Sequence, residues 1–208
     1  MIEVGSTVFD VGCDHGLLDI YLTKNKDCHC IASDISLNVL KNTTMNINKN
    51  GLEDKIKIIH SAGLANLEIA NGDIVVVSGM GTKTILNILD CDKVLKITNL
   101  IIQSNNEIEL LREMVIKKGF YIFNECIVED HNKDYVIIYF KRGFKQYRKV
   151  DYLFGPIARK DIIYSEYYNS LYKKNLKIMK NIPKKYIIKK FRYYVYLHKI
   201  KKFTSMNS

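Results

Sequence analysis

Four short stretches carry residue types, at a spacing, that suit the handling of a nucleotide-like cofactor. The first is Val8-Phe9-Asp10-Val11-Gly12-Cys13-Asp14-His15-Gly16, an apolar run that ends in an acid and a glycine turn. Glycines let a backbone approach a ligand where a Cβ would clash, so Asp10, Gly12, His15 and Gly16 are candidates to line a bound group. The second run, from His29 to Ser33, ends in Asp34, followed by Ile35. A carboxylate at such a tip can accept both hydroxyls of a ribose. Either acid could instead cap the helix that follows, because Asp is a favoured N-cap. The third run leads into Ser78-Gly79-Met80-Gly81, where backbone groups and the Met80 side chain would frame a reacting centre. The fourth ends in Gln103-Ser104-Asn105, and carboxamides can read the edge of a base; surface capping is the competing role for Asn105. Inside the glycine turn, Asp14 could balance a cation, and His15 could hydrogen-bond a cofactor or an incoming base.

The elements that must position these groups alternate between apolar runs and amphipathic stretches. That rhythm predicts strands near 7–11, 29–33, 57–61, 74–78 and 99–103, with helices between them. Leu37, Leu40 and Ile47 mark one inward helix face, closed at Asn50-Gly51; Ile85, Leu86 and Leu89 mark another, starting near Thr82; a third covers 107–118. Strands at 121–127 and 135–140 then follow one another across the polar loop 129–134, a join short enough only for antiparallel partners. The expected fold of residues 1–143 is α/β, a Rossmann-like sheet with a terminal antiparallel hairpin. This is the topology of class I S-adenosylmethionine-dependent methyltransferases. Gly12 and Gly16 stand four apart with no G-x-G-x-x-G, which disfavours a nicotinamide enzyme.

Charge is divided along the chain. Residues 144–208 hold 17 of the 32 basic residues and three of the 22 acids, a net +14, which leaves −4 for residues 1–143. Helices from about 156 to 181 and from Pro183 to about 202 are expected there as an antiparallel coiled-coil hairpin. Ile157, Leu171 and Ile178 would face Ile187, Phe191, Val195 and Leu197. Lys and Arg interleaved with tyrosines suit a polyanion such as RNA, although a solvated helical face would also carry such charge. The five cysteines form no C-x-x-C pair, so no disulfide framework or metal site is indicated. The start lacks a signal-peptide pattern and the apolar runs fall short of the roughly 18 residues that span a bilayer, so a cytoplasmic protein is expected.

Taken in order, VFDVGCDHG, Asp34, NGLEDKI at 50–56, SGMG at 78–81, QSN at 103–105, the stretch from Gly119 to Glu129 and FGP at 154–156 resemble the TrmK family. These are bacterial tRNA adenine-N1 methyltransferases acting on adenosine 22 of the D-loop. The resemblance implies S-adenosyl-L-methionine as cofactor and tRNA as partner, gripped by the basic helices of 144–208. It implies that Asp10, Gly12, His15 and Gly16 line the methionine side, that Asp34 and Ile35 meet the ribose, that Ala62 and Gly63 meet the adenine, and that Ser78, Gly79 and Met80 flank the methyl group. Asp14, Gln103 and Asn105 are the expected catalytic residues.

The chain departs from the family pattern at several points. Ala62 stands where the family has an acid, Ser104 replaces the proline of Q-P-N, Thr82 replaces a second glycine after SGM-Gly, and the first strand comes without the usual preceding helix. Two further readings stay open: a methyltransferase of another RNA base, and a tRNA-binding homologue with impaired catalysis.

Overall fold

The computed structural model of the chain describes residues 1–157 and 162–205. Five parallel strands form the centre of a seven-stranded sheet: β1 (Thr7–Val11), β2 (His29–Asp34), β3 (Ile56–His60), β4 (Ile74–Met80) and β5 (Asn99–Ser104). The antiparallel pair β6 (Phe120–Asp130) and β7 (Lys133–Arg142) completes it, in the order β3-β2-β1-β4-β5-β7-β6. The helices between strands are α1 (Leu17–Lys26), α2 (Leu37–Lys49), α3 (Thr82–Ile88) and α4 (Ile108–Lys117). The central strands are nearly continuous apolar runs because both faces are covered. Phe9, Val75, Val77, Leu100, Ile102 and Phe140 pack on one side, and Val8, Cys30, Ala32, Val76 and Ile101 on the other. The chain steps outward from β1 through β2 to β3, then returns to β4 on the far side of β1. That reversal opens a crevice beyond the strand carboxyl ends.

The expected order of elements holds, and the differences lie at the margins. The hairpin is longer than its polarity suggested. Residues 129–134 are mostly strand, and the turn contracts to His131 and Asn132, both left-handed at φ 47° and 58°. β6 forms an edge of the sheet, and its register with β7 shifts between Ile122 and Asn124, around the half-exposed Phe123.

After β7 comes a short helix that the sequence did not signal, α5 (Lys149–Phe154), then α6 (Ile162–Asn181) and α7 (Ile187–Ser205). The last two pair as a hairpin, but not along the expected seam: Ile178, Ile187 and Phe191 are exposed, whereas Leu197 is buried. Burial concentrates at the end nearest the sheet, where Phe154, Tyr164, Tyr168, Ile200 and Phe203 form a separate cluster. Phe154 stacks on Phe203 at 4.3 Å between ring centroids, so the aromatic residues, not the aliphatic ones, set the seam. A buried ion pair ties this cluster to the sheet. Arg112 on α4 donates to Glu125 on β6 at 2.9 and 3.1 Å, and to the carbonyls of Tyr152 and Leu153 at 3.3 Å. Gly155, at φ 81°, passes so close to Glu125 that a Cβ there would overlap the carboxylate.

Candidate active site

The tips of β1, β2, β4 and β5 share one rim, and each expected site residue lies on or beside it. Beyond β1 the backbone stays paired with β2, since the Gly12 and Cys13 N–H groups both donate to the Ser33 carbonyl, at 2.8 and 3.0 Å. Gly12 and Gly16 adopt φ of 82° and 68°, and Asp14 between them is left-handed at 50°. A Cβ on Gly12 would overlap Met80 Cε, so the Met80 thioether lies directly over the turn. Two α2 residues that were not singled out in the sequence brace the turn from behind. Thr43 Oγ1 donates to the Asp14 carbonyl at 2.6 Å, and Asn46 Nδ2 donates to the His15 carbonyl at 2.9 Å. Their i, i+3 spacing on α2 was the available signal. The Asp14 and His15 side chains are exposed, 3.7 Å apart at Oδ1 and Nε2. Cys13, in the same turn, has its thiol pushed up to about 12 by burial, so it offers no thiolate there.

The two acids at the first strand tips differ in setting. Asp34 lies at the rim; its Oδ1 accepts the Ser36 N–H at 2.8 Å, and Ser36, not Asp34, caps α2 through Val39 N–H. Asp34 Oδ2 accepts no hydrogen bond among the described residues. Asp10 is buried at 4% exposure, beneath the turn, and next to it lies Asp19 of α1 at 0%. Burial raises both carboxyls, Asp10 to about 7 and Asp19, further raised by the Asp10 charge, to about 9. Asp19 is thus held toward its neutral, protonated form beside Asp10, and neither of its oxygens makes a hydrogen bond among the described residues. Asp19 was missed in the sequence, where an acid in an amphipathic helix reads as a solvent-facing residue.

At the far side of the crevice, Ile35 is exposed and its carbonyl meets His60 Nε2 at 2.9 Å. Ala62 is exposed, and Gly63, at φ 59°, lies under Ile88 with its carbonyl held by Ser61 Oγ at 2.8 Å.

Gln103 and Asn105 are brought together with the β4 tip in a closed ring. The Gly79 N–H donates to Gln103 Oε1 at 2.8 Å, Gln103 Nε2 donates to Asn105 Oδ1 at 3.2 Å, and Asn105 Nδ2 donates to the Gly79 carbonyl at 2.6 Å. The Asn105 N–H also donates to the Met80 carbonyl, at 2.8 Å. The Ser78-Gly79-Met80 platform is thus held by the two carboxamides, each of which keeps a second N–H to offer. Behind it, Thr82 Oγ1 and Ser104 Oγ lie 2.9 Å apart, and both reach the Asn106 carbonyl, at 2.6 and 3.0 Å. Thr82 and Ser104 are buried, at 0% and 4% exposure. Two departures from the family pattern therefore fall on side chains that bond to each other. With its raised carboxyls buried, the rim suits alignment of a donor and an acceptor more than proton abstraction. Among the described residues no cluster of three or more metal-ligating side chains occurs, and no helix is long and apolar enough to cross a membrane.

Known proteins share this sequence and architecture. The tRNA (adenine(22)-N(1))-methyltransferase of Bacillus subtilis is 28% identical over 145 residues, 68% of this chain and 61% of that protein. The chain thus spans about three fifths of the length of this curated relative. The structure of M. capricolum TrmK in complex with S-adenosyl-homocysteine superposes with a TM-score of 0.86 at 29% identity, covering 100% of this chain and 95% of that one. Streptococcus pneumoniae Sp1610 in complex with S-adenosyl-L-methionine gives 0.85 at 25% identity, over 97% and 94%. Residues 8–203 match the family described as TrmK, tRNA (adenine(22)-N(1))-methyltransferase, and the chain belongs to that family.

Proposed function

We propose that this chain is an S-adenosylmethionine-dependent tRNA methyltransferase that modifies N1 of an adenine, with adenosine 22 of the D-loop as target. One observation carries the reading: a glycine cradle, a rim carboxylate with an unengaged oxygen and a carboxamide-held platform meet at a single topological switch point. These residues suit the cofactor. The left-handed turn at Gly12 and Gly16, with His15 alongside, would hold its methionine portion once the Met80 side chain swings off Gly12; Asp34 Oδ2 would accept from the ribose beside Ile35; and Gly63 with Ala62 would border the adenine. When bound, the cofactor supplies an electrophilic methyl group.

The chain's own residues then position the acceptor. Adenine N1 carries an in-plane lone pair, so no base has to act before transfer, and alignment accounts for most of the rate. Gln103 and Asn105 fix the Gly79 platform and direct their remaining N–H groups at the base edge. Asp14, exposed on the turn, balances the positive charge that N1-methylation creates. The target base is turned out of its stack to reach the crevice, while the exposed lysines of 144–208 grip phosphates. Against the reading of a catalytically impaired homologue stands the bonding of Thr82 and Ser104 to each other and to the Asn106 carbonyl, which ties down the turn where the family has a proline. Five cysteines, all free, suit the cytoplasm.

The test is incubation of the purified protein with labelled cofactor and unmodified tRNA, followed by mapping of the modified nucleotide by primer extension. Label on an adenine of the D-loop is the expected result. Label on another base supports a different RNA specificity, and absence of transfer despite cofactor binding overturns the proposal.

A further inference from the structure

We infer that the cavity between the β5–α4 turn, the β6–β7 turn and α6 binds a second nucleobase of the RNA, adjacent to the one that is methylated; this rests on the function proposed above. The cavity has a volume of about 320 Å³. That is the low end of the roughly 300–1,000 Å³ usual for small-ligand sites and suits one flat heterocycle. Asn105 lines it while also holding Gly79, so the cavity shares a wall with the crevice at the strand tips. An adjacent nucleotide of an opened loop would reach it without a break in the strand.

Its chemistry selects a base over a phosphate. Val136 and Leu171 supply an apolar floor, and Tyr167 and Tyr196 supply aromatic walls on which a base can stack. Lys174 is the donor at the wall formed by α6, while Glu107, Glu109 and Asp134 accept. A bare phosphate would meet three carboxylates. A nucleobase presents amine donors and ring acceptors together, and uses both sets. The left-handed turn at His131 and Asn132 brings Asn132 and Asp134 to the cavity, giving β6–β7 a binding role that its sequence did not suggest. Phosphates have a better place nearby, on the exposed Lys173, Lys177 and Lys180 of α6.

Ser170, exposed at the cavity on α6, allows the site to be filled without removing a core side chain. For Ser170→Trp, the KM for transcribed tRNA is expected to rise about tenfold, with kcat, cofactor dissociation constant and thermal midpoint as in the wild type, and Ser170→Ala unchanged. A series of tRNAs with one abasic site beside the target should contain one position that raises the wild-type KM to the Ser170→Trp level, and the two enzymes should treat that RNA alike. An unchanged KM for Ser170→Trp, a fall in its kcat or cofactor affinity, or abasic penalties that add to the tryptophan effect at every position would each overturn the inference. Wild-type protein that transfers no methyl group to any tRNA would instead defeat the functional reading beneath it.

Discussion

In the proposed site Asp34 divides its two oxygens between structure and ligand, and substitutions can separate the two roles. Asp34→Asn keeps an oxygen for the Ser36 N–H but loses a charged acceptor at the rim. Hydrogen bonds to charged groups contribute about 1.5–3 kcal/mol, so S-adenosylmethionine affinity should fall roughly tenfold to a hundredfold by calorimetry, with little change in melting temperature. An unaltered dissociation constant would remove Asp34 from the ribose site. The buried carboxyls make a different prediction. Asp10 at about 7 and Asp19 at about 9 both lie above the ordinary 3.8, so the folded state holds protons that the unfolded chain releases. Their contribution to stability is full below about pH 4 and declines as pH rises toward about 9. Asp19→Asn keeps the shape of the buried side chain beside Asp10 and removes one of the two titrations. Urea denaturation across that range should show a flatter pH dependence for the variant, and an identical slope would argue against a raised Asp19 carboxyl.

The β4 and β5 tips form one hydrogen-bonded unit, so Thr82 and Ser104 should behave as a couple. Thr82→Val and Ser104→Ala each remove one hydroxyl of the pair and leave the other on the Asn106 carbonyl, whereas the double variant removes both. A double-mutant cycle should give a coupling energy of about 1 kcal/mol in stability, and kcat should fall more than the KM for cofactor. Additive effects would dissolve the unit. How far such elements were legible depends on burial. The parallel strands stand out because both faces are covered, so Ile74 to Val77 reads as an unbroken apolar run and Val8 to Val11 as one interrupted only by Asp10, each close to a glycine. The hairpin was drawn too short because the outer residues of β6 and β7 face solvent, where Glu129, Asp130 and Asp134 look like loop. The helical tail misled for another reason: its tyrosines fall on several faces, so no single stripe marks Tyr164 and Tyr168 as core. Asp34 and the glycine turn were legible as a candidate site, whereas Thr43 and Asn46 act through backbone groups and Asp19 through burial, for which the sequence offers little beyond helical spacing.

At the scale of the whole molecule, the Arg112 and Glu125 pair couples the sheet to the basic tail. Both side chains are buried, and the arginine also holds two α5 carbonyls. Arg112→Met leaves a buried carboxylate unpaired and should destabilise the protein by about 3–5 kcal/mol in urea, with partial recovery on adding Glu125→Gln. A loss below 1 kcal/mol would exclude this coupling. Cutting the chain before α5 would expose that pair, so the role in RNA binding proposed for the tail is better probed at its surface. Replacing Lys173, Lys177 and Lys180 with Glu should weaken tRNA binding and lower the salt slope by about two to three, at unchanged cofactor affinity.

The register shift at Phe123 bears on how copies of the protein meet one another. β6 runs for 11 residues along the rim of the sheet, long enough to template a strand from another molecule. The kink between Ile122 and Asn124 breaks its row of outward amides, Lys141 covers the Phe123 ring at 3.8 Å, and the acids at its far end repel a like neighbour. The hairpin can therefore remain open to solvent in a crowded cell without seeding fibrils.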